Sequence, residues 1–141
     1  MQKQEIINLI QSLGFQNETS KDIFVGEYKK HGYTISVDFK KNKITYPAPL
    51  QIGDETTCNF SHPENLVVLE CVDRLLKKGY RPKDLYLEKR WSLGRTQRSG
   101  KADITIKGND GNTILIIECK TWGQEYEKEK SRMQTSGGQL F

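Results

Sequence analysis

Long apolar runs are missing from this chain. Hydrophobic residues fill 35% of its 141 positions, and no stretch approaches the ~20 apolar residues that a membrane-spanning helix needs. No membrane association is therefore expected. The opening Met1-Gln2-Lys3-Gln4-Glu5 is polar and carries no signal-peptide core. Histidine is scarce, with His31 and His62 as the two copies. With so few imidazoles, and with Cys58, Cys71 and Cys119 at no metal-type spacing, a zinc site is not expected. The cysteines read instead as reduced residues of a cytoplasmic protein. No internal repeat and no low-complexity tract is present. Charge of neither sign dominates: 22 Lys and Arg face 18 Asp and Glu, a net of +4. That balance is compatible with nucleic acid but does not single it out. The length suits one small domain of ordinary size.

What is present is clear local patterning. Ile6, Ile7, Leu9, Ile10 and Leu13 recur at helical spacing and Gly14 stops them, predicting a helix over residues 3–13. Alternating segments at 23–28, 33–39 and 43–46 predict an antiparallel meander. Pro47 and Pro49 interrupt it, so residues 47–58 read as a loop or linker. Ser61, with Glu64 three positions on, has the pattern of a capping box for a second helix that ends at Gly79. Its apolar residues, running from Leu66 to Leu76, centre on one face. Glu64 projects onto that face, and Glu70 and Asp73 project away from it. Residues 85–91 and 102–106 read as strands. Two units follow: residues 1–57, a small α+β extension of helix and meander, and residues 58–141, an α/β core with a central mixed sheet and helices on both faces.

Three polar residues stand on apolar strands of that core. Asp103 opens the run at 102–106, and Glu118 and Lys120 end the run that contains Ile114-Leu115-Ile116-Ile117. The latter run reads as a buried central strand. Alternation puts Glu118 and Lys120 on one face and Cys119 on the other. Between the runs, residues 107–112 carry a hairpin signal that turns at Asp110-Gly111. A hairpin brings Asp103 and Glu118 together with Lys120 beside them. Two carboxylates suit a hard divalent cation such as magnesium. Such a cation polarises a phosphate and acidifies a bound water, and a lysine beside it orients that water or neutralises phosphate charge. The chemistry expected is metal-assisted hydrolysis of a phosphodiester. Just before Asp103, Arg95, Arg98 and Lys101 form a loop that is either an ordinary polar connection or a source of positive charge for a phosphate backbone. Glu88 lies either near the metal or on a solvated edge in Glu88-Lys89-Arg90, the latter being the commoner case, and residues 124–133 read as a solvated, charged helix.

At these positions the chain resembles the PD-(D/E)XK nuclease superfamily. Asp103 matches the first acidic position and Glu118-Cys119-Lys120 the (D/E)XK element, while Ala102 replaces the usual proline. His62-Pro63-Glu64, Lys78-Gly79-Tyr80 and Leu87-Glu88-Lys89 look like the N-terminal nuclease region of restriction enzymes, both type I R subunits and nuclease–adenine methyltransferase fusions. The similarity covers roughly residues 59–141. It implies a restriction-endonuclease-like fold, magnesium with manganese as a substitute, double-stranded DNA as substrate, and further methyltransferase, specificity or helicase domains or subunits. It also implies a third acidic ligand on the second helix, for which Glu64 is placed better than Glu70; simple helix capping is the other reading of Glu64. Gln139 fits the glutamine of a Q-x-x-x-Y element whose tyrosine is not reached before Phe141, so a fragment of a longer protein is expected. A catalytically inactive DNA-binding module and a structure-specific repair or resolvase nuclease are the competing readings.

Overall fold

Alternating burial along the N-terminal half and helical burial in its centre produce two sheets joined by one helix. The computed structural model describes residues 2–18, 22–28, 32–92 and 99–120, with backbone alone for 91, 92 and 99–101. Ile6 and Ile10, one turn apart, are the buried positions of helix α1 (Lys3–Ser12). Strands β1 (Gln16–Asn17), β2 (Ile23–Tyr28), β3 (Tyr33–Asp38) and β4 (Lys43–Thr45) form the first sheet in that order, every neighbouring pair antiparallel. Phe24 and Tyr28, Ile35 and Val37, and Ile44 face inward, as period-2 patterning requires. The expected meander is thus present, with the short β1 added at its edge.

The second sheet is mixed. Strand β5 (Gln51–Ile52) runs parallel to β6 (Leu85–Ser92), while β7 (Ser99–Lys107) and β8 (Thr113–Ile117) continue antiparallel in the order β5-β6-β7-β8. β5 lies within the segment expected to be a loop, as does a short 3-10 helix at Glu55–Cys58. Two residues are too few to carry an alternation signal, and β5 exists because β6 offers it a backbone partner. The hairpin between β7 and β8 forms as expected, with Gly111 at φ +82° supplying the left-handed turn residue.

Helix α2 (Pro63–Lys77) packs against both sheets. Its start corrects the expected capping box. His62, not Ser61, is the N-cap, and no side chain caps it. Pro63 fixes the first helical position, where its missing N–H costs nothing, and the Ser61 hydroxyl turns to Asn59 Oδ1 instead. The other end follows expectation: Gly79 at φ +107° leaves the helix just past its last residues. Asp73 does not project into solvent. It is 1% exposed, accepts from the Tyr28 hydroxyl at 2.5 Å and pairs with Lys77 at 2.9 Å. The helix is covered on more than its apolar stripe, because the first sheet lies against the side that carries Asp73. Burial, then the hydrogen bond to Asp73, push the Tyr28 phenol well above its usual range. One continuous buried cluster includes Ile10 of α1, Ile35 and Val37 of the first sheet, Leu69 and Val72 of α2, and Leu87, Ile104 and Ile106 of the second sheet.

Strand β8 differs from expectation. Among the described residues it ends the sheet, and Ile114 is 62% exposed. Leu115 and Ile116 are exposed too. A continuous apolar run marks a strand able to be covered on both faces, and periodicity does not reveal whether neighbours cover it.

Candidate active site

The register of the second sheet aligns three acidic residues across adjacent strands. Leu87 pairs with Ile104 and Lys89 with Ala102, so Glu88 stands opposite Asp103. Ile104 pairs with Ile117, so one step further along Glu118 stands on the other side of Asp103. Asp103 is therefore the centre of a row Glu88, Asp103, Glu118. The chain end of β8 is fastened there: the Cys119 N–H donates to Asp103 Oδ2 at 2.7 Å. Cys119 is buried, whereas Glu118 and Lys120 are exposed, as alternation demands.

The charges act on one another. Glu118 is open to solvent on part of its surface, yet partial loss of hydration raises its carboxyl above the ordinary glutamate range. The Asp103 carboxylate raises it further, Lys120 draws it back down, and Glu88 and Glu64 add to the rise. These five residues come from helix α2, strands β6 and β7, and the end of β8. Sequence reasoning named Asp103, Glu118, Lys120 and Glu64, and offered Glu88 as one of two readings. Glu64 lies in the first turn of α2 and is half-buried, with the capping box that would have occupied it not formed. Glu70 pairs with Arg74 at 2.7 Å.

Of the two readings of Glu88, the solvated edge is corrected. Glu88 is 7% exposed and adopts φ +54°, a left-handed conformation rare for a residue with a side chain. The residue after strand β5 lies against this turned backbone. The Gly53 N–H donates to the Leu87 carbonyl at 2.8 Å, and a Cβ on Gly53 would stand 2.3 Å from the Glu88 carbonyl oxygen. A glycine at 53 is thus what lets β5 close against the turned backbone of Glu88. The sequence signal was available as Gly53 in Gln51-Ile52-Gly53, but its meaning depended on a strand too short to recognise. Gly53→Ala is expected to displace the backbone at Glu88 and to destabilise the chain by about 1–3 kcal/mol, as measured by urea unfolding. A variant with unchanged stability would refute the close approach. Beside Glu88, Arg90 pairs with Asp54 at 3.1 Å, and Lys89 lies 5.7 Å from the Tyr86 ring centre.

Behind the row, on the α2 side, the Cys119 thiol meets Cys71 at a sulfur–sulfur distance of 4.0 Å. The hydrogen bond they share draws the Cys71 thiol down to about 7 and, with burial, pushes Cys119 far up. Tyr46 lies near Cys58, Cys119 and Cys71, and full burial lifts its phenol well above the usual range.

Several expected site residues fall elsewhere. Arg95, Arg98 and Gln139 lie outside the described residues, as do residues 124–133. Lys101 has its backbone in β7, so residues 99–101 belong to a strand rather than to the loop expected there. Among the described residues no three His, Cys, Asp or Glu side chains are grouped as a metal cage. The donor chemistry still fits a hard divalent cation: the row is made of carboxylates, and their mutual repulsion at Glu118 is what a cation relieves. No family model, no curated protein and no solved structure matches the chain.

Proposed function

We propose that this chain is the nuclease part of a cytoplasmic restriction enzyme, hydrolysing phosphodiester bonds of double-stranded DNA with magnesium, or manganese in its place. One observation carries the reading: Asp103 and Glu118 stand side by side in register, and Glu118 responds to Asp103, Lys120, Glu88 and Glu64 together. In this reading Asp103 and Glu118 hold the metal, Glu64 is its third acidic ligand from α2, and Glu88 adds negative charge beside Asp103. Lys120 positions the attacking water and neutralises phosphate charge. The metal, when bound, supplies Lewis acidity at the phosphate and acidifies a water. Resemblance adds Gln139 to the site, Arg95, Arg98 and Lys101 to the phosphate contacts, a restriction-endonuclease-like fold, and partner domains or subunits of methyltransferase, specificity or helicase type.

Manganese titrated into the chain is expected to bind weakly, in the manner of sites completed by substrate, and to lose that binding in Asp103→Asn. Electron paramagnetic resonance of the free ion measures this directly. A second reading, an inactive DNA-binding module of the same fold, is favoured by one feature. Asp103 Oδ2 is already occupied by the Cys119 N–H, and no cage is closed among the described residues. The two readings part on that titration, because DNA binding without any manganese binding identifies the inactive module.

Binding to DNA is expected to show little sequence preference and steep salt dependence. Phosphate contacts fix position without reading bases, and their strength comes from counterion release. Fluorescence anisotropy on several unrelated duplexes, at low and high salt, tests this. Tight, salt-insensitive binding to one duplex alone would place a base reader within the chain and overturn the expectation.

A further inference from the structure

Cys71 is half-buried in the middle of α2, and Cys119 is 3% exposed at the end of β8. Their sulfurs stand 4.0 Å apart, about 2 Å beyond a disulfide bond length. Closing that gap takes side-chain rotation together with a small shift of the Cys119 backbone toward α2. Cys58, the remaining cysteine, is buried and has no sulfur contact among the described residues. Cys119 also sits between Glu118 and Lys120 in the chain, and its own N–H holds Asp103 Oδ2 at 2.7 Å. Any pull on its side chain toward α2 acts directly on that hydrogen bond.

We infer that Cys71 and Cys119 form a reversible disulfide that senses a peroxide oxidant and loosens the Cys119–Asp103 hydrogen bond, switching the carboxylate row. Cys71 is the more accessible thiol, so it meets the peroxide first. Its sulfur attacks one peroxide oxygen, the O–O bond breaks, and a sulfenic acid and one water result. The Cys119 sulfur then attacks the Cys71 sulfur, expelling the second water. Two S–H bonds are lost and one S–S bond is gained, and the peroxide takes up two electrons and two protons. A dithiol reductant reverses the change by exchange. In a reducing cytoplasm the pair rests as thiols, in keeping with transient, sensing disulfides rather than structural ones. The consequence for activity rests on the proposed nuclease reading, whereas the bond itself and its effect on Asp103 do not.

The test treats the reduced chain with hydrogen peroxide and reads two quantities that need no metal and no DNA. Peptide mapping by mass spectrometry under non-reducing conditions should recover a Cys71–Cys119 cross-linked peptide, lighter by two hydrogens and lost on adding dithiothreitol. Cys58→Ser should still form it and Cys71→Ser should not. Backbone hydrogen exchange should show the Cys119 amide protected in the thiol form and exchanging about tenfold or more faster in the disulfide form. A cross-link through Cys58, no cross-link in the intact chain, or unchanged Cys119 exchange after the bond forms would each overturn the switch. A chain that fails to bind manganese yet passes both readouts would count against the nuclease reading alone.

Discussion

Lys120→Ala is expected to leave the fold intact and to lower DNA cleavage by about 10²-fold or more. Lys120 is exposed and lies past the last residue of β8, so its truncation opens no core cavity. Its charge is directed at the site all the same, since it is the group that pulls the Glu118 carboxyl down against three acidic neighbours. Removing it takes away the positive charge nearest the proposed phosphate position and lets Glu118 hold its proton more tightly. Both changes act against an anionic transition state. Lys120→Arg should restore only part of the loss, because a planar guanidinium does not reproduce the compact ammonium. Circular dichroism melts check the fold and plasmid nicking checks the rate. Cleavage at the wild-type rate by the alanine variant would remove Lys120 from the mechanism.

The hairpin that carries Asp103 and Glu118 was readable because its signals are local: an alternating strand, Asp110-Gly111 at the turn, and a second apolar run. Helix α2 was readable for the same reason, from its apolar repeat and Gly79. What escaped were features that depend on distant partners. Asp73 projects away from the apolar stripe, yet it is buried because the first sheet covers it and supplies the Tyr28 hydroxyl. Glu88 sits in a charged triplet, yet it is buried, and Gly53, far away in the chain, lies close against its carbonyl. β8 has the composition of a central strand, yet Ile114 and Ile116 are exposed, since composition records what a strand tolerates and not which neighbours it has. Of the site, the residues on regular strands were legible. Glu88, with its left-handed backbone, was legible only as one of two readings.

Glu118→Gln is expected to abolish metal-dependent cleavage, with a loss of about 10²-fold or more, and yet to make the metal-free chain more stable at neutral pH. The sign follows from proton linkage. The folded chain raises the Glu118 carboxyl through lost hydration and through Asp103, Glu88 and Glu64. Between the ordinary glutamate value of about 4.3 and that raised value, the folded state binds more protons than the unfolded state. Stability therefore falls as pH rises through this window, and stays lower above it. Glutamine carries no charge at any of these pH values and removes that loss. The variant should melt above the wild type at neutral pH, and the gap should narrow as pH drops below the ordinary glutamate range. Magnesium should reverse the order in part, raising the wild-type melting temperature by binding the folded state while leaving the variant unchanged. Thermal melts across pH, with and without magnesium, measure all three effects. A variant less stable than wild type at neutral pH would mean that Glu118 is held by favourable contacts. The carboxylate repulsion on which the proposed cation site rests would then be absent.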